Sequence, residues 1–216
     1  IAGAWYLAMI ASGAIGILYV PSRIVSDGPA AIVDNLVAHE QLVRFGILTS
    51  IGCQVCFLFL GQALRRLFAG THDELTRSMV TLIVAAAPIA IVNELFNVAA
   101  LELAHNPAHH DLALTFFVLR QAGVGIAGFF WGLWLFPFGL LVMRSGFIPK
   151  ILGVLLLAGG LAYVIDSSLA LFAPVERAEV SAMLMLPLAI GELAMVTWLF
   201  VKGARRVEVV PELQRR

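Results

Sequence analysis

The sequence predicts an all-α integral membrane bundle: six transmembrane helices, with a short extracytoplasmic interfacial helix between the first and second. Composition is the first reason. Of 216 residues, 61% are apolar and 13% charged, and mean hydropathy is +0.94, whereas a soluble domain is about 25% charged. The second reason is arrangement. The apolar residues fall into six runs, each near or above the roughly 20 residues that cross a bilayer. A soluble enzyme, a disordered chain and a disulfide scaffold are poor fits to these numbers. The 14 basic and 14 acidic residues leave no basic excess to attract nucleic acid.

The first run covers 1–20 and continues into Pro21 and Arg23 without a small-residue cleavage site, so it reads as a retained helix and not a signal peptide. Asp27-Gly28-Pro29 then opens a segment over 29–42. Ile32, Val33, Leu36 and Val37 recur there at helical spacing, predicting a helix that lies on the membrane. The second span is expected at 45–68. Thr71, with Glu74 three positions later, has capping-box spacing ahead of a third span at 76–103. Asp111 is placed to cap a fourth span at 112–143, long enough to tilt or to extend beyond the bilayer. Pro149 suits the first turn of a fifth span at 149–172, where its missing N–H leaves nothing unpaired. The sixth span is expected at 180–201, followed by a tail at 202–216. No linker divides the chain, so 1–216 reads as one domain.

Lys and Arg set the orientation. Arg65, Arg66, Arg77, Arg144, Lys150, Lys202, Arg205, Arg206, Arg215 and Arg216 fall on one side, against Arg23, Arg44 and Arg177 on the other. This predicts a cytoplasmic tail and both termini in the cytoplasm.

The stretch 130–168 holds Gly-Leu-Trp at 132–134, Arg-Ser-Gly-Phe-Ile-Pro-Lys-Ile-Leu-Gly at 144–153 and Tyr-Val-Ile-Asp-Ser at 163–167. It resembles the bacterial membrane family catalogued as domain of unknown function 4386. Ile1-Ala2-Gly3 and Leu-Val-Arg-Phe-Gly at 42–46 are similar to that family as well. The resemblance implies a multi-pass bacterial inner-membrane protein and assigns no catalytic residue. In the hairpin itself, Ser145-Gly146 is expected to make a tight turn held at the headgroups by Arg144 and Lys150.

Four ionisable residues stand inside the apolar runs: Glu94, Arg120, Asp166 and Glu192. Each costs about 2.5–3.5 kcal/mol at mid-bilayer and so calls for pairing or function. At 1.5 Å per residue, Glu94, Arg120 and Asp166 share one level in the outer leaflet, with Glu192 deeper. Asn93 and Asn97 share a helix face with Glu94, and Gln121 adjoins Arg120. These positions predict a polar pocket lined by spans three to six and formed by Glu94, Asn97, Arg120, Gln121, Asp166 and Glu192. Three carboxylates against one guanidinium leave charge to be met by a bound cation, a proton on Glu192, or Arg44. The alternative is a plain Arg120–carboxylate lock between helices.

The outer loop carries His105, His109 and His110 beside Glu102 and Asp111, with His39 and Glu40 on the same side. Imidazole and carboxylate suit zinc, although Pro107 interrupts the helical spacing and no His-Glu-x-x-His signature is present. Cys53 and Cys56 have redox spacing but fall on a regular helix, where a disulfide is geometrically unfavourable; they read as small packing residues. Gly123, Gly125, Gly128 and Gly132 allow close helix approach, either within the bundle or to a second copy or partner subunit. Trp131, Trp134 and the neighbouring phenylalanines could line an apolar groove. The function expected first is binding of a small ligand or ion in the outer-leaflet pocket. A non-catalytic accessory subunit or scaffold is second, and a metal-dependent intramembrane enzyme third.

Overall fold

The computed structural model describes residues 1–25 and 28–202, without the side chains of 174–179 and 187–188. Asp27 of the expected turn, the side chain of Arg177, and Arg205, Arg206, Arg215 and Arg216 of the tail lie outside the described residues. The helices are α1 (Ala2–Gly13), a π turn (Ala14–Tyr19), α2 (Val20–Ile24), α3 (Pro29–Ala38), α4 (Glu40–Leu67) and α5 (Asp73–Ala104). A 3-10 turn (Pro107–His109), α6 (His110–Leu133), α7 (Leu135–Ser145), α8 (Lys150–Phe172) and α9 (Pro174–Val201) follow. Six helical stretches are long and apolar enough to cross a membrane, at the places the hydropathy runs predict. The protein is an all-α, multi-pass membrane protein.

Three interruptions trace to particular residues. Pro21 has no N–H for the carbonyl of Ile17. The turn before it widens, and the Val20 N–H reaches Ile15 O in the i→i+5 pattern of a π turn. Pro137 likewise leaves the carbonyl of Leu133 without its N–H, and the fourth span divides there into α6 and α7 at Trp134. His39, with φ −113° and ψ 29°, separates α3 from α4. The helix expected over 29–42 therefore ends at Ala38, and 40–44 belong to the second span.

The caps differ from expectation at two places. The Thr71–Glu74 box does not form: α5 starts at Asp73 behind His72, which makes no side-chain cap, and Asp73 and Glu74 meet the helix dipole directly. Asp111 sits within the first turn of α6, while Asn106 caps the preceding 3-10 turn by accepting from the Ala108 N–H at 3.0 Å. The α7–α8 hairpin turns as predicted. Gly146 takes a left-handed φ of 73°, and Ser145 Oγ accepts from the Ile148 N–H at 3.3 Å.

Each span packs on the next in sequence, and α9 returns to α1, closing a ring. The closure is backbone on backbone: a Cβ at Gly3 would stand 2.9 Å from the Leu199 carbonyl carbon. One core, around Trp134, Phe138, Leu60, Leu64 and Met79, fills the α7 end of the ring. At the other end α3 buries Val33 and Leu36 against Ile24, Val43, Leu101 and Phe117, so this short helix plugs the bundle end.

Candidate functional site

Arg120 on α6 is 1% exposed and Glu94 on α5 is 5% exposed. Arg120 Nη2 lies 3.5 Å from Glu94 Oε1. Asn97, one turn beyond Glu94, donates from Nδ2 to Glu94 Oε2 at 2.6 Å. Arg120 Nη1 approaches Gln121 Oε1 at 3.4 Å, and Asn93 Nδ2 donates to the Arg120 carbonyl at 2.9 Å. A Cβ at Gly123 would fall on Asn93 Oδ1, so only glycine lets α5 and α6 approach this closely there. Asp166 is buried on α8, and the hydroxyl of its neighbour Ser167 takes up the space that a Cβ on Gly128 would need.

Glu192 stands apart, in a chamber of about 350 Å³ lined by α1, the π turn, α4, α6, α8 and α9. Its Oε1 accepts from the hydroxyl of Tyr6 at 3.2 Å. Met9, Ile17, Phe57, Trp131, Trp134 and Met185 supply apolar walls. Trp134 is locked by stacking on Phe138 at 5.1 Å and by its edge contact with Phe57 at 5.1 Å. Leu18 and Leu193 line the chamber and are exposed, so it reaches the lipid-facing surface between the first and last spans. The widened π turn, the absence of a side chain at Gly13 and the small methyl of Ala14 create room on that side.

Residues 1–203 match the family described as Domain of unknown function (DUF4386). The chain belongs to that family. An uncharacterized protein of Archaeoglobus fulgidus is 32% identical to this DUF4386 protein over 102 residues, covering 47% of the chain and 56% of the relative's length. The chain thus spans little more than half of that relative. No solved structure matches it.

In this DUF4386 protein the predicted pocket residues divide between two places. Glu94, Asn97, Arg120 and Gln121 form one cluster, while Glu192 lines the chamber and accepts from the buried Tyr6; Asp166 is buried on α8. Sequence reasoning missed Tyr6, because a lone tyrosine in an apolar run reads as a lipid-facing or interfacial residue. It also missed Ser50, and Gln54 is the element joining the two places.

The outer histidines go to separate partners. His105 Nδ1 pairs with Leu101 O at 2.9 Å and Nε2 with Glu40 Oε2 at 3.1 Å, whereas His110 Nε2 reaches Ala104 O at 3.1 Å. Arg44 bridges Glu40 at 2.8 Å and Glu102 at 2.9 Å. Among the described residues no group of three or more His, Cys, Asp or Glu could hold a metal ion. The zinc grouping expected of His105, His109 and His110 is not assembled among the described residues: beyond the turn at Pro107 the rings of His105 and His110 take backbone and carboxylate partners. The Glu40 carboxylate raises the His105 pKa above the ordinary histidine value, assisted by the Leu101 carbonyl. Cys53 and Cys56 are free thiols, and Cys53 lines the chamber.

The glycines of the fourth span face inward. Gly123 meets α5, and Gly128 and Gly132 meet α8, where a Cβ on Gly132 would stand 2.8 Å from Gly160 O. Their close-approach surfaces are taken up within the chain.

Proposed function

We propose that this protein binds a small lipophilic molecule inside the bilayer, one that carries a hydrogen-bond donor or a positive charge for Glu192. The observation behind this reading is the pairing of a single carboxylate with the Tyr6 hydroxyl at a mostly apolar chamber. Its volume falls within the about 300–1,000 Å³ typical of small-molecule sites. The ligand enters sideways between the first and last spans. The Glu94–Asn97–Arg120–Gln121 cluster and Asp166 form the polar floor on which the binding helices are held. The protein acts as a transporter-like or receptor-like component of the bacterial cytoplasmic membrane, with both termini inside, as the Lys and Arg distribution indicates. Docking to a second copy or a partner subunit would need a face other than the Gly123–Gly132 row, which is occupied.

Native mass spectrometry of protein released gently from its own membrane tests the reading. The wild type should carry a small adduct that is lost in Glu192→Gln and weakened in Tyr6→Phe. A bare wild-type chain overturns the proposal, and an adduct retained by Glu192→Gln removes Glu192 from it.

A further inference from the structure

Beside the chamber, between the π turn, α4, α5 and α6, lies a separate polar cell of about 10 Å³. That is room for one guest the size of a water molecule. Ser50 Oγ, Gln54 Oε1 and Asn93 Oδ1 are buried and have no hydrogen-bond partner among the described residues. Ser50, Gln54 and Asn93 are 3%, 3% and 5% exposed, and all three line this cell together with Glu94. One unmet buried polar group is unfavourable by itself; two amide oxygens and a hydroxyl at one cell call for a guest that meets them together.

Identifiable contacts hold two of these oxygens in place. The Asn93 amide N–H group is committed to the Arg120 carbonyl at 2.9 Å, which leaves its oxygen free on the other side. Glycines give that oxygen and the Ser50 hydroxyl their space: a Cβ on Gly123 would fall on Asn93 Oδ1, and one on Gly16 would fall on Ser50 Oγ. Charge points the same way: Glu94 lines the cell, and Arg120 meets its carboxylate at only 3.5 Å. Neutral oxygens with a carboxylate are the ligand chemistry of a hard cation. Because that carboxylate is shared with a guanidinium, a single positive charge is balanced better than a double one.

We propose that Ser50, Gln54, Asn93 and Glu94 bind one desolvated monovalent cation of sodium size. The site stands whether or not the chamber takes a ligand. The cell shares Ile17, Gln54 and Trp131 with the chamber, which provides the ion's route in.

The test uses the full chain in nanodiscs of zwitterionic phospholipid. Binding of radiolabelled sodium is measured, and melting is followed in sodium, potassium and choline chloride at constant ionic strength. The expected result is saturable binding of a single sodium ion per chain, and a higher Tm in sodium than in choline. Ser50→Ala should weaken sodium binding about tenfold, and the neighbouring half-buried Thr49→Ala should leave it unchanged. Gln54→Glu, which adds a carboxylate with little change of shape, should tighten binding and so tests the site even if Ser50→Ala fails to fold. Equal melting in sodium and choline with no bound label overturns the proposal and leaves a water-filled cell. Unchanged affinity in folded Ser50→Ala overturns it too.

Discussion

Arg120 and Glu94 show why an ion pair inside a membrane is easier to break than to justify by stability. Removing one partner strands the other charge, at a cost of about 3–5 kcal/mol for a buried pair. Arg120→Met should therefore lower the melting temperature clearly, and adding Glu94→Gln to that variant should recover part of the loss; an unchanged Tm in the single variant would refute the lock. Both residues were legible in the sequence because charges in apolar runs stand out, and the rise per residue placed them at one level. The Tyr6–Glu192 contact was not legible, since nothing local marks two residues 186 positions apart as neighbours. The outer histidines were visible as residues but not as contacts, because the turn at Pro107 decides where each ring goes. For His105 the raised pKa has a definite sign. Its bond to Glu40 stabilises the fold fully below the unfolded histidine pKa, and this is lost as pH rises through the higher folded value. An NMR titration should find the His105 midpoint above the ordinary histidine range, and Glu40→Gln should bring it down.

Among the helices, the runs of hydropathy located all six spans, and the breaks within them came from prolines whose consequences depend on neighbours. Pro21 widens a turn and Pro137 divides a span, yet Pro88 sits within an unbroken α5. The same residue type has three outcomes, according to how each freed carbonyl is accommodated. The glycines of α6 were equally visible as close-approach sites, but not the identity of the surface they approach. Their contacts with α5 and α8 make two neighbouring substitutions diverge. In Gly132→Ala the new Cβ meets Gly160 O and Tyr163 Cβ at 2.8 Å, an overpacking that should cost about 1–3 kcal/mol. In Gly125→Ala the nearest atom is Ala170 Cβ at an ordinary 3.4 Å, so thermal melting should be close to wild type. Equal melting of the two variants would refute this account of the α6–α8 packing.

For the whole molecule, the ring places the 3-10 turn at Pro107–His109 and the loop between α4 and α5 at opposite ends of the spans that join them. The proposed orientation, with both termini inside, predicts that Ala108→Cys in a Cys53→Ala, Cys56→Ala background reacts with a membrane-impermeant maleimide on intact cells. Thr71→Cys should react only after permeabilisation, and the reverse pattern would invert the orientation. The ring also fixes an order of events during synthesis. Gly3 abuts the backbone at Leu199, and Tyr6 reaches across to Glu192. While the ribosome is still making the fifth span, the first therefore faces lipid on the side where α9 will sit, with its tyrosine hydroxyl unpaired. The sixth span, α9, is the one that builds the chamber's final wall and supplies its carboxylate. A chain released before α9 would have no closed chamber, so under the proposed reading stalled or truncated products would not compete with finished molecules for its ligand.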